Sequence, residues 1–122
     1  MKCQILEEAL NQKGIPFKEI KPVVPSENEF FYRNRLEYSF SAQRWFYDNE
    51  GKINNTKERQ AVGFNVSQLN DRIIDITECY LQPEPSVFIA LQAKKFAQSL
   101  NLSFFNFKDG SGMIRSIEIL QD

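Results

Sequence analysis

The feature that most constrains this chain is the alternation of apolar and polar residues between Phe30 and Ser41. Read with the two-residue period of a strand, the segment separates into an apolar side and a polar side. This pattern predicts a half-buried antiparallel strand. The apolar side holds Tyr32, Leu36, Tyr38 and Phe40, and the polar side holds Arg33, Arg35, Glu37 and Ser39.

The two arginines on the polar side allow two interpretations. The simpler one is a solvated face that binds nothing. The other is contact with RNA, because a guanidinium group forms bidentate bonds to phosphate and stacks on bases. Near the end of the chain, Arg115 has the same parity as the apolar residues Ile117 and Ile119. A lone arginine in such a row more often lies at the rim and extends its charge to water than binds a ligand. The candidate RNA-binding residues are Arg33, Arg35, Arg44, Trp45 and Arg115.

Length and charge limit the classes of function. A chain of 122 residues with 42% hydrophobic composition predicts one domain, residues 1–122. Its 15 Lys and Arg against 16 Asp and Glu provide no broad basic field, so any RNA contact must come from a local patch. The sequence shows neither an apolar run of about 20 residues nor a secretory signal, which predicts a cytoplasmic protein with no membrane partner.

The chain has few residues suited to catalysis. It contains no histidine, which is the commonest general base, and only two cysteines, Cys3 and Cys79. Two distant cysteines cannot complete a four-ligand metal site. We therefore expect no catalytic residue and no bound cofactor in this chain alone.

Periodicity predicts an α+β fold, a mostly antiparallel sheet of about five or six strands with two packing helices. The first helix runs from Lys2 to Lys13 and is ended by Gly14. The second begins with Ser86 as its N-cap, reaches about Leu100, and has a buried stripe of Ile89, Ala93, Phe96, Ala97 and Leu100. The predicted strands are 32–41, 62–66, 73–76, 104–107 and 113–120, with an edge strand at 17–20, a polar link at 67–72, a turn at 48–51 and a loop at 52–60.

The run Phe-Tyr-Arg-Asn-Arg-Leu-Glu-Tyr-Ser-Phe-Ser resembles a segment of the S-adenosylmethionine-dependent RNA uracil-5-methyltransferases, in the part that precedes their catalytic domain. The resemblance extends across most of the chain, and it depends on the order and spacing of several segments. These segments are Lys2–Gly14, Phe31–Ser41 with Arg44-Trp45, Ala61–Phe64, Ile74–Leu81 and Gly112–Ile117.

The resemblance implies that this chain is the central, RNA-positioning domain of an enzyme that methylates C5 of uridine in rRNA or tRNA. In that family a cysteine adds to C6 of the uracil, C5 takes the methyl group of S-adenosylmethionine, and a carboxylate removes the C5 proton. These groups belong to a Rossmann-like domain, which we expect after Leu120. The implied partners are structured RNA and the protein's own catalytic domain.

Some members of the family also carry a four-iron cluster. Three closely spaced cysteines hold it, together with a fourth in the position that Cys79 matches. The three upstream cysteines are missing here, and one thiolate cannot hold four irons. Two alternatives stay open: Cys79 is the one remaining ligand of a cluster in the full-length protein, or it is a buried structural residue.

Two other functions compete with the methyltransferase interpretation. One is a freestanding single-strand RNA-binding module that uses the arginine and tryptophan surface. The other is a protein-interaction domain with no RNA role, favoured by the near-zero net charge. A reading frame that continues past Asp122 into a cofactor-binding domain would favour the methyltransferase over both.

Overall fold

The computed structural model describes residues 1–46, 55–67 and 69–122. The predicted turn at 48–51 lies outside the described residues, as does the first part of the predicted loop at 52–60. The described end of that loop forms a short helix. In chain order the elements are α1 (Lys2–Gln12), β1 (Arg35–Ser41), α2 (Thr56–Arg59), β2 (Ala61–Val66), β3 (Leu69–Asp75), α3 (Ser86–Ser99) and β4 (Ser116–Leu120).

The strands form one antiparallel sheet in the order β3-β2-β1-β4. Strand β1 pairs Phe40 with Val62 of β2 on one side and Leu36 with Ile119 of β4 on the other. The α+β class is therefore confirmed. Within the described residues, however, the sheet has four strands, not the predicted five or six.

Strand β1 begins three residues later than the alternation predicted. Phe31 has a left-handed φ of 54°, and the backbone amides of Phe31 and Arg33 donate to the carbonyls of Tyr80 and Leu81 instead of extending the ladder. Tyr32, predicted on the buried side, is therefore exposed. The rest of the parity is confirmed, because Leu36, Tyr38 and Phe40 are buried while Arg35 and Glu37 are exposed.

Two further predicted strands are wrong. Residues 17–20 form no strand; the segment lies between Pro16 and Pro22, and neither proline can donate a backbone hydrogen bond. Residues 104–107 make only isolated bridges, one to Ile114 and one to Ser111. The chain reverses direction after residue 107 and passes close to Phe104 at Gly112. Glycine is needed there because its φ is 118° and because a Cβ would lie 2.4 Å from the Phe104 carbonyl oxygen. Finally, β3 begins at Leu69, so the predicted link at 67–72 is partly strand.

The two longer helices differ in what they bury. Helix α1 ends as predicted, since Gly14 has a φ of 62° and the backbone amide of Ile15 donates to the Leu10 carbonyl. It buries none of its residues, so the prediction of two packing helices is wrong for α1.

Helix α3 packs on the sheet through a different face from the predicted one. Its buried residues are Ser86, Val87, Ala90 and Ala97, whereas Phe96 is 65% exposed and Leu100 54% exposed. Of the predicted stripe, only Ala97 is fully buried. Ser86 is the first helical residue and not the N-cap, because its hydroxyl is used in the core; the Glu84 carboxylate instead accepts from the backbone amide of Phe88.

The core lies between α3 and one face of the sheet. Tyr38 and Phe40 are at its centre, with ring contacts to Phe64 and Phe104. The other members are Leu36, Val62, Ile76, Val87, Ala90, Ala97 and Ile119. None of the described helices is long and apolar enough to cross a membrane.

Candidate nucleic-acid interface

The segment 30–34, which we call the arm, leads into β1 and carries Arg33, one of the exposed candidate arginines. Phe30, Phe31, Tyr32 and Arg33 are all exposed. The rings of Phe30 and Phe31 lie 5.8 and 6.1 Å from the Tyr80 ring. With the two backbone bonds to Tyr80 and Leu81, these contacts fix the arm against the loop that precedes α3.

Arg33 combines an accessible charge with a neighbouring ring. Its guanidinium carbon lies 6.0 Å from the centre of the Tyr32 ring, and it forms no ion pair with any described residue. Beside it is a small cleft of about 170 Å³, lined by Tyr32, Arg33, Pro83 and Gln121 among others. A cation beside an aromatic ring can bind a phosphate and stack a base.

Arg35 lies on the exposed side of β1, but it already has a partner. Its Nε donates to the Glu118 carboxylate of β4 at 2.5 Å, and this hydrogen bond and the carboxylate charge raise the pKa of Arg35. Glu37 pairs directly opposite Glu118 in the sheet. A phosphate that binds Arg35 must therefore compete with carboxylates. The Arg35 side chain is 68% exposed, so that exchange is sterically open.

Arg44 lies in a different environment from Arg33. Its side chain is 21% exposed, and its guanidinium group is 4.0 Å from the Asp75 carboxylate and 4.9 Å from the centre of the Phe46 ring. Asp75 also accepts from Lys94 at 2.7 and 2.8 Å and from the backbone amide of Val62. The carboxylate therefore joins Arg44 to both the sheet and α3.

The two remaining candidates lie away from the arm along the chain. Trp45 is half-buried, and its backbone amide donates to the Ile73 carbonyl. Arg115 is exposed just before β4, and its guanidinium carbon is 4.5 Å from the centre of the Phe105 ring. Arg33 and Arg35 therefore lie two residues apart, one in the arm and one at the start of β1, and Arg44 lies beside Asp75.

Sequence reasoning missed the residues that hold the arm. Tyr80 and Gln82 were not singled out, although Tyr80 contacts two arm rings and Gln82 bonds to the Asn34 carbonyl. The clustering of Phe30, Phe31 and Tyr32 before a strand could have indicated an aromatic contact. No pattern in the sequence indicates that the amide of Gln82 is buried.

Cys79 is half-buried against the core, and its Sγ accepts from the backbone amide of Leu81 at 3.4 Å. Cys3 is also a free thiol, and its Sγ is 3.8 Å from the Lys21 carbonyl oxygen. In the described part of the chain, no group of three or more Cys, His, Asp or Glu side chains could hold a metal ion. The described residues therefore do not fit an iron-sulfur cluster, and Cys79 would supply at most one ligand.

Comparisons with known proteins point to one class. The chain is 33% identical over 116 residues to a protein of Bacteroides thetaiotaomicron, covering 93% of this chain and 26% of that protein. It is 29% identical to a protein of Porphyromonas gingivalis, covering 97% of this chain and 27% of that protein. It is 26% identical to a protein of Clostridium tetani, covering 97% of this chain and 23% of that protein. Each of the three is named an uncharacterized RNA methyltransferase.

The chain thus spans about a quarter of the length of these curated relatives. No family model matches it, and no solved structure does. Along nearly all of its length, this chain is homologous to one part of proteins that are named RNA methyltransferases.

Proposed function

We propose that this chain is the RNA-positioning part of an enzyme that transfers a methyl group from S-adenosylmethionine to C5 of uridine in rRNA or tRNA. The observation that carries the proposal is the arm. It presents Arg33 and Tyr32 to solvent at the start of a strand whose opposite side is the core, in a chain homologous to part of proteins named RNA methyltransferases.

The charge distribution supports a local RNA contact. The net charge of the chain is −1, so RNA is not drawn by a general positive field. Two arginines near an exposed tyrosine can instead bind the backbone and one unpaired base of a structured RNA. Such a surface orients the RNA and leaves the chemistry to other parts of the protein.

On this proposal, the methyl donor and the base that takes the C5 proton are supplied from outside this chain. S-Adenosylmethionine gives its methyl group to C5 and leaves as S-adenosylhomocysteine, and the proton of C5 is released to a base. On this proposal, the residues of the arm hold the RNA while the target base turns out of its stack. The chain therefore contributes binding energy and orientation.

Release of the C5 hydrogen tests the proposal in the full-length protein. The assay uses total rRNA and total tRNA transcribed with tritium at C5 of uridine, with and without S-adenosylmethionine. Methyl transfer to C5 must release tritium to water, whereas methylation of any other position leaves it in the RNA. We expect release that depends on S-adenosylmethionine with one of the two RNA classes.

Three other results would each contradict a different part of the proposal. Methyl incorporation without tritium release would exclude C5 as the target. RNA binding without methyl incorporation would favour a freestanding RNA-binding module. Binding of neither RNA would favour a protein-interaction domain.

A further inference from the structure

The side chain of Gln82 is almost completely buried, at 1% exposure, and every polar atom of its amide is used. Its Nε2 donates to the carbonyl oxygens of Asn34 at 3.2 Å and Ile119 at 3.0 Å. Its Oε1 accepts from the Ser86 hydroxyl at the start of α3. A buried amide is tolerated only with such partners, so its position is closely specified.

The orientation of this amide follows from its two carbonyl partners. A carbonyl oxygen only accepts, so the Nε2 donors must face Asn34 and Ile119, and Oε1 must face Ser86. Ser86 therefore gives its one proton to Gln82 Oε1 and accepts from the Tyr38 hydroxyl, 2.6 Å away in the core. The two carbonyls and the two core hydroxyls together specify which way the amide faces.

The Asn34 carbonyl that Gln82 holds lies between the two candidate arginines. The same carbonyl accepts from the backbone amide of Gln121 at 2.8 Å. Together with the bonds from Phe31 to Tyr80 and from Arg33 to Leu81, the Gln82 contact attaches the arm to three successive residues of one loop. Tyr80 also contacts the arm through its ring, and Gln82 is the one of these three residues whose side chain hydrogen-bonds to the arm backbone.

We propose that Gln82 is a positioning residue for RNA binding, because it fixes the backbone between Arg33 and Arg35 and so sets where both guanidinium groups leave the protein. This inference rests on the proposed function. A backbone ordered before RNA binds does not have to be ordered on binding, which lowers the entropic cost of using two long side chains. Gln82 itself is buried and touches no RNA.

Substitution of Gln82 by methionine tests the proposal. Methionine keeps the length and volume of the side chain and removes both donors and the acceptor. RNA affinity is measured on the full-length protein with a hairpin RNA whose loop contains uridine, below the melting temperature of each variant. We expect Gln82→Met to weaken binding about 5- to 30-fold, the equivalent of losing the order of one or two long side chains.

Gln98→Met is the matched control. Gln98 is also a glutamine whose Nε2 donates two bonds, to the Lys57 carbonyl and to Gln60 Oε1, each at 3.0 Å, but it lies on α3 and makes neither of them to the arm. We expect it to destabilise the fold without weakening RNA binding. Equal loss of affinity in both variants would show a general effect of destabilisation and overturn the proposal.

A variant that lacks both arginines, Arg33→Ala with Arg35→Ala, separates positioning from structure. If Gln82 acts through these arginines, Gln82→Met causes no further loss in that background. The same loss in both backgrounds would overturn the proposal. If Gln82→Met does not fold, Gln82→Asn replaces it, since the shorter amide cannot reach Ser86 and Asn34 together and should give the same pattern.

Failure of the positioning role and failure of the proposed RNA surface give different results. If the variant without both arginines loses affinity but Gln82→Met does not, only the positioning role is wrong. If the variant without both arginines binds the hairpin as tightly as the unchanged protein does, the RNA surface itself is wrong, and the positioning role falls with it.

Discussion

Residues 1–34 and residues 35–122 both contain large apolar side chains but bury very different amounts of apolar surface. In the first region, which is described in full, no residue is buried, and Ile5, Leu6, Val24 and Phe30 are each about half exposed or more. In the second, the described residues enclose a core around Tyr38 and Phe40. The difference teaches that apolar residues in a segment become buried only where another element covers them.

The two regions are joined most firmly at the arm. Backbone bonds from Phe31 and Arg33, and the rings of Phe30 and Phe31 against Tyr80, hold the end of the first region on the second. The candidate RNA-binding residue Arg33 therefore lies where an exposed segment meets a packed body. At that position an arginine side chain is accessible to solvent while its backbone is held in place.

The largest expected effect is the loss of a central ring. Tyr38→Ala or Phe40→Ala should lower the free energy of unfolding by about 3–5 kcal/mol, because each leaves a cavity where a fully buried ring contacted α3 and the sheet. Ile5→Ala and Leu6→Ala in α1 are the contrast, and they should change it by less than about 0.5 kcal/mol. Chemical denaturation of the four variants measures both.

A large loss of stability for Ile5→Ala or Leu6→Ala would contradict the comparison between the regions. It would show that α1 packs on the body in solution. A small loss for Phe40→Ala would instead show that the core tolerates the cavity by collapsing around it.

Local structure could be predicted in both regions, because alternation and turn residues act locally. The parity of Leu36, Tyr38 and Phe40 in the second region and the left-handed cap at Gly14 in the first follow from such local rules. The buried face of α3 could not be predicted. Its apolar residues lie around most of the helix, and the choice between Ala90 and Phe96 depends on the space left by the sheet.

The next effect compares two carboxylates that form ion pairs, Asp75 and Glu118. Asp75→Asn should destabilise by about 2–3 kcal/mol, because it removes the negative charge that the largely buried Lys94 and Arg44 share. Glu118→Gln removes the partner of the exposed Arg35 and should cost less than about 1 kcal/mol. Thermal melts at low and high salt measure both variants. Similar losses for the two would contradict the difference in burial.

The pH dependence of stability tests the buried hydroxyl. Burial in the core raises the pKa of Tyr38 above its usual value of about 10. Below that pH the phenol is protonated in both states, so it adds no pH dependence. Above it, the Tyr38 phenol ionises in the unfolded chain but stays protonated in the folded one. The free energy of unfolding should therefore fall by up to about 1.4 kcal/mol per pH unit until the folded-state pKa is passed.

Tyr38→Phe is the control for that effect, since it removes the ionisable group and keeps the ring. The difference in unfolding free energy between the unchanged chain and Tyr38→Phe should shrink as the pH rises above about 10. A difference that stays constant would show that the hydroxyl is not protected in the folded state. Tyr80 does not disturb the comparison, because both chains contain it.

The candidate site could be predicted only in part. The strand period predicts that Arg33 and Arg35 share one exposed side, and the structure leaves both exposed, Arg35 in β1 and Arg33 in the arm before it. It gives no sign that Glu118 lies across from Arg35 or that Asp75 lies beside Arg44, because both contacts join residues far apart in the chain. Partners across a sheet depend on register, which the alternation of a single strand does not determine.

The salt dependence of RNA binding by Arg33→Ala tests the central claim most directly. The full-length protein and this variant are titrated with the uridine-containing hairpin RNA at several salt concentrations, with Arg33→Lys as the control that keeps the charge. If Arg33 meets a phosphate, Arg33→Ala should weaken binding and lower the salt slope by about one, while Arg33→Lys keeps the slope. An unchanged affinity and slope in Arg33→Ala, together with a lower melting temperature, would make Arg33 a structural residue and contradict the assignment of the arm to RNA.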